Sequence, residues 1–158
     1  MEISIVEACR DDAGEILELQ AAAYQSEAEL YGDWTIPPLT QTLPLLEAEF
    51  LEKTFLKALQ GGRIVGSVRA TLAGGTCAIN RLIVHPDCQG KGIGTLLLAR
   101  IETLFSRAER FELFTGTESK DNIRLYERLG YRAIREEPLS PKVTIVFMEK
   151  HRPGSPSI

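Results

Sequence analysis

The stretch from Leu82 to Leu98 constrains this chain more than any other. Leu82, Ile83 and Val84 form a β-type apolar run that His85 and Pro86 bring to an end. Gly90, Gly92 and Gly94 then alternate with Lys91 and Ile93, and Thr95 to Leu98 open a long apolar helical pattern. This is the sequence of a strand that passes through a tight glycine turn into a helix beginning near Lys91. The glycines carry no Cβ, so the backbone can approach a ligand closely and take positive φ. The first free N–H groups of the helix point outward and its dipole favours an anion, which makes the turn a seat for a pyrophosphate.

Two other phosphate motifs do not fit. The G-x-G-x-x-G pattern fails because the sixth residue is Thr95 counted from Gly90 and Leu97 counted from Gly92. A P-loop needs a glycine where His85 stands. Gln89, Gly92 and Gly94 instead spell Q-x-x-G-x-G. With the preceding strand, this resembles the acyl-CoA-binding signature of the GNAT superfamily of N-acyltransferases. A second segment, Ser119 to Tyr131, looks like the family's closing helix, with Leu125, Tyr126 and Glu127 inside it and Leu129, Gly130 and Tyr131 at its end. It also reads well physically. Ser119 or Asp121 can cap it, Ile123, Leu125 and Leu129 supply apolar positions, and Gly130 suits a left-handed terminus. The resemblance covers residues 60–150 closely and the first third only in general layout.

The remaining pattern fits one domain over residues 1–150 with a loose tail at 151–158. Residues 2–8 alternate as a strand, and a helix runs from Asp11 and Asp12 to Tyr24. Residues 25–40 look irregular, since Pro37 and Pro38 exclude a helix interior. Thr42 caps a further helix. Strands follow at 54–59, 63–73 and 76–85, reversed at Gly61-Gly62 and Gly74-Gly75, which permit primed turns. A helix to about Arg107, a strand at 111–115, the Ser119–Leu129 helix and strands at 131–135 and 143–148 complete the order. The fold class is α/β (α+β): a mixed, mostly antiparallel twisted sheet of about seven strands with helices on both faces. The crossover from the strand before Gln89 to the strand at 111–115 makes one parallel pair. The resemblance implies that these two strands splay into a slot.

Composition excludes several classes of function. The chain has 158 residues, a net charge of −4 and no Lys/Arg block, which argues against a nucleic-acid partner. Cys9, Cys77 and Cys88 stand at no metal spacing, and His85 and His151 are the only histidines, so no metal site is expected. An odd number of cysteines fits a reducing, cytoplasmic setting. No run of about 20 apolar residues offers a membrane span, and the N-terminus reads as no secretory signal.

The resemblance implies an acetyl-CoA-dependent N-acetyltransferase acting on a primary amine, carried by a small molecule or a protein, through direct attack in a ternary complex. A homodimer is compatible with it. The pyrophosphate falls to Gly90, Lys91, Gly92, Ile93, Gly94 and Thr95, with Gln89 beside them. The pantetheine amides fall to the backbone of Leu82, Ile83 and Val84, and the N–H of Ile83 or Val84 is the natural oxyanion donor. Tyr126 matches the family's proton donor to the leaving thiolate, a sensible role for a group with an ordinary pKa near 10. Asn122 and Ser119 are further cofactor contacts, although the family often has Asn where Ser119 stands. Many members carry a strand Glu where this chain has Ala78. The base is therefore unassigned among Glu118, Glu47, Glu49, His85 and water, and the rate is expected to follow the acceptor's own pKa. Tyr31, Asp33 and Trp34 are candidates for an acceptor seat. The alternatives are a non-catalytic acyl-CoA-binding regulatory module and a protein that uses the turn for another phosphate ligand.

Overall fold

A computed structural model describes residues 2–152. The strands are β1 (Ser4–Glu7), β2 (Thr54–Gln60), β3 (Arg63–Ala73), β4 (Thr76–Val84), β5 (Arg110–Gly116), β6 (Arg132–Ser140) and β7 (Val143–His151). The helices are α1 (Ala13–Ala23), α2 (Gln25–Tyr31), α3 (Pro37–Thr40), α4 (Leu43–Glu49), α5 (Ile93–Leu104) and α6 (Lys120–Arg128). One seven-stranded sheet has the order β1-β2-β3-β4-β5-β7-β6, and only β4 and β5 run parallel. The expected mixed sheet is thus observed.

Strand alternation feeds two separate cores. Phe55 and Ile64 pack with Ile16, Leu19 and Leu46 under α1 and α4. Their neighbours Leu56 and Val65 pack with Ile93, Leu97, Leu98 and Ile101 of α5. Helix α6 joins the second core through Tyr126, Ile123 and Leu125. Helices α2 and α3 cover β7 through Ala28, Ile36, Val143 and Ile145. Gly66 sets how closely α5 can lie: a Cβ there would meet Leu97 at 3.0 Å and Ile93 at 3.1 Å. This places the start of α5 beside the end of β4.

Several boundaries differ from expectation. Residues 25–40 are largely helical, with Gly32 closing α2 in the left-handed region and Pro37 and Pro38 occupying the first turn of α3. Helix α5 begins at Ile93 rather than Lys91, because Gly92 is its N-cap at φ +81°. Strand β6 extends to Ser140 and contains Pro138, which an edge strand tolerates, with an irregular register at that point. Strand β7 runs through His151, and Arg152 donates to three backbone carbonyls, so the first two residues of the expected tail are structured. Residues 153–158 lie outside the described residues.

Candidate active site

The site is opened by a pairing that stops early. Strands β4 and β5 are in register only at Thr76–Arg110, Cys77–Phe111 and Ala78–Glu112. Beyond these pairs, Ile79 to Val84 and Leu113 to Gly116 face each other across a cleft of about 940 Å³. At the divergence β4 bulges: Ser67 pairs Ile83 but Arg69 pairs Asn80, so Arg81 and Leu82 together oppose Val68. Arg81 holds φ +52°, the only positive φ at a non-glycine among the described residues. Past the bulge, the His85 N–H donates to Val65 O at 2.8 Å. Hydrogen-bonding direction alternates along a strand. Ile83 therefore faces β3, and the N–H groups of Leu82 and Val84 face the cleft. Of the two expected oxyanion donors, Val84 has the required direction and Ile83 does not.

The glycine turn lies at one end of this cleft. A 3-10 turn at Pro86–Cys88 is capped by His85, whose Nδ1 accepts from Asp87 N–H at 3.1 Å. Gly90 and Gly92 take φ +78° and +81°, and a Cβ at either would meet nothing within 4 Å. No side chain caps α5, so the N–H groups of Ile93, Gly94 and Thr95 have neither a helical nor a capping partner. The turn is thus a bare anion seat, which fits a pyrophosphate. Gln89 Nε2 donates to Val84 O at 3.4 Å and ties the turn to the strand end. Lys91 is exposed and does not line the cleft, so it contributes charge at most.

Helix α6 supplies the opposite wall. Tyr126 is 6% exposed, lines the cleft, and has its ring tilted against Tyr131 with centroids 6.2 Å apart. Its hydroxyl bonds to no protein group among the described residues. Burial pushes its pKa well above 10, and Tyr24 and Glu27 add to the rise, so it holds its proton. Ser119 and Asn122 are brought to the same wall, but both are engaged by Glu27 of α2. Ser119 Oγ donates to Glu27 Oε2 at 2.6 Å, and Asn122 Nδ2 donates to Glu27 Oε1 at 3.3 Å and Thr115 Oγ1 at 3.2 Å. Ser119 does not cap α6 with its side chain. Tyr31 closes this corner, its hydroxyl 2.8 Å from Ser119 Oγ and accepting from Glu118 N–H at 3.0 Å.

Sequence reasoning missed Glu27, Tyr24 and Arg81, all of which line the cleft. Of the bases it named, only Glu118 does so. Glu47 pairs with Arg10, Glu49 holds buried Arg69, and His85 caps the turn. Asp33 is occupied by Thr35, while Trp34 is 56% exposed and outside the cleft. Outside the cleft, Arg69 is 1% exposed and donates to Glu49 Oε2 at 2.8 Å and Gln20 Oε1 at 2.6 Å. Gln20 in turn donates to Pro38 O at 2.9 Å, fixing α3 at the cleft's edge. Cys9, Cys77 and Cys88 are free thiols, and burial pushes Cys77 up to about 12.

Residues 15–131 match the model of the acetyltransferase (GNAT) family. The fold and the bare glycine turn agree with that match, and the chain belongs to this family. It is 31% identical over 120 residues to the Bacillus subtilis protein YqkA, covering 76% of this chain and 34% of that one. It is 35% identical over 82 residues to acetyltransferase ECA0875 of Pectobacterium atrosepticum, covering 51% and 58%. The chain thus spans about a third of YqkA and a little over half of ECA0875. Among solved structures, the PaiA N-acetyltransferase of Thermoplasma acidophilum, crystallised with coenzyme A, superposes with a TM-score of 0.79 at 17% identity, covering 96% of this chain and 100% of that one. The ribosomal-protein-S18-alanine N-acetyltransferase of Escherichia coli gives 0.78 at 15% identity, covering 95% and 94%. At these identities the structures establish the fold.

Proposed function

We propose that this protein transfers an acetyl group from acetyl-CoA to a primary amine by direct attack in a ternary complex. One observation carries the reading: β4 and β5 separate at Ala78, and the gap joins an uncapped α5 to the unpaired Tyr126 hydroxyl. The N–H groups of Ile93, Gly94 and Thr95 receive the pyrophosphate, and the cleft-facing backbone of Leu82 and Val84 pairs with the pantetheine amides. Val84 N–H stabilises the oxyanion that develops on the thioester carbonyl. The amine nitrogen forms its bond to the carbonyl carbon as the C–S bond breaks. The thiolate takes its proton from Tyr126, and the proton shed by the amine returns to the tyrosinate through solvent. The products are an N-acetyl amide and free CoA.

Glu27 supports an amine acceptor, because it places a carboxylate in the cleft near Tyr126 where an incoming ammonium gains an opposite charge. It offers a carboxylate where the Ala78 position has none and adds Glu27 to the candidates Glu118, Glu47, Glu49 and His85. Free cysteines suit the cytoplasmic setting proposed for the reaction. The test is an acceptor screen with acetyl-CoA and thiol detection. Amine-dependent thiol release with a matching acetylated product is expected. CoA binding without release in the presence of any amine would return the non-catalytic reading.

A further inference from the structure

Arg81 is the feature the proposed reaction does not use. It lines the cleft next to Tyr24, and the apolar residues Leu30, Ile36 and Pro38 line the same cleft. Its backbone sits in the left-handed region, a conformation that costs a non-glycine residue free energy and concentrates at functional sites. Its charge is also unmatched. Glu49 already serves Arg69 at 2.8 Å and Lys53 at 2.9 Å, and Glu27 is held by Ser119 and Asn122. Arg81 enters no ion pair among the described residues. Arg69 stands close enough that the two guanidiniums oppose each other, and its own buried Nε has no partner. The Tyr24 hydroxyl meets Arg81 but brings no charge to it, and a planar guanidinium fork matches a carboxylate. Glu27 and Arg81 both act on Tyr24, which places a negative and a positive group about one tyrosine.

We propose that Arg81 binds a carboxylate carried by the acceptor, so that the acceptor is a small apolar amino acid whose amine lies toward Glu27 and Tyr126. The inference rests on the acetyltransfer reading and adds the substrate class. The carboxylate supplies the counter-charge that Arg81 lacks, and the apolar side chain meets Leu30, Ile36 and Pro38. A protein N-terminus has an amide at the corresponding position and offers Arg81 no charge.

The experiment measures kcat/KM for leucine, methionine and phenylalanine, each beside its primary amide and its decarboxylated amine. Wild-type protein should prefer the free amino acids by about 10- to 100-fold, the range of a hydrogen bond to a charged group. Arg81→Gln should collapse that ratio toward one, and Arg81→Lys should restore part of it, since charge returns without the fork. The CoA dissociation constant, read by calorimetry, should not track the ratio. Equal or better turnover of the amides or plain amines by wild type would overturn the inference. So would an Arg81→Gln variant that lowers all three classes alike, or CoA binding with no turnover of any carboxylated acceptor. Absence of both CoA binding and turnover would overturn the acetyltransfer reading itself.

Discussion

Replacing Tyr126 with phenylalanine separates chemistry from packing, because the structure assigns the two to different atoms. The ring belongs to the core beneath α5 and α6 and contacts Tyr131, whereas the hydroxyl reaches the cleft and bonds to no protein group among the described residues. Tyr126→Phe keeps the ring and breaks no hydrogen bond among the described residues. Folding stability should therefore change by less than about 1 kcal/mol. At this chain length that is a shift of at most about 2–4 °C in Tm. The hydroxyl is nonetheless the only donor the proposal gives the leaving thiolate. A positioned acid contributes about 10²-fold or more, which corresponds to about 2.7 kcal/mol of the barrier. The assay pairs initial rates of thiol release with a thermal melt and a CoA titration on the same preparation. We expect kcat to fall about 10²-fold while Tm and CoA affinity hold. A wild-type rate would show that Tyr126 is packing and that water protonates the thiolate. A fall matched by a large loss of Tm would refute the separation of roles.

Gly92→Val and Gly94→Val should both weaken CoA binding in a calorimetric titration, but at different structural cost. Gly92 sits at φ +81°, so valine there is strained by about 1–2 kcal/mol, whereas Gly94 has ordinary helical backbone and its Cβ would lie 3.8 Å from Val84. Unchanged affinity in the folded Gly94 variant would remove the proposed pyrophosphate seat. Glu27→Gln should lower kcat/KM about tenfold or more for cationic acceptors with CoA affinity held, as measured by thiol release; wild-type rates would show that the carboxylate only holds Ser119 and Asn122. Glu49→Gln leaves the Arg69 guanidinium buried without a counter-charge, which costs about 3 kcal/mol. Burial alone would raise Glu49, but Lys53, Arg69 and Gln41 overcome it and hold its pKa below 4.5. A depressed carboxylate adds stability that is present above its unfolded pKa and lost as pH falls through its folded value. The Tm gap between wild type and Glu49→Gln should therefore be full at pH 7 and shrink below about pH 4.5; a gap that widens on acidification would contradict this.

The sheet was legible because its signals are local. The Gly61-Gly62 and Gly74-Gly75 reversals, the alternation in β2 and β3, and the strand–turn–helix at Gly90 each follow from neighbours in sequence. Helix α2 escaped notice because it is short, polar and buries only Ala28; the cleft and β7 hold it in place. Gly32, at φ +64°, was its one local stop signal. Glu118 was legible as a candidate, but Glu27 was invisible for a different reason. Glu27 meets Ser119 only through the fold, 92 residues away in sequence. Arg81 is conspicuous only once the register between β3 and β4 slips by one residue, and no residue type announces that bulge. The strand expected at 131–135 was too short, since β6 runs on through Pro138, which an edge strand tolerates.

Direct transfer is tested most directly by initial rates over a grid of acetyl-CoA and amine concentrations. Attack by the amine in a ternary complex predicts double-reciprocal lines that intersect, with no acetyl group on the protein after incubation with acetyl-CoA alone. Parallel lines, together with an acetylated side chain such as Cys88 in the intact mass, would show a covalent two-step route and contradict the account.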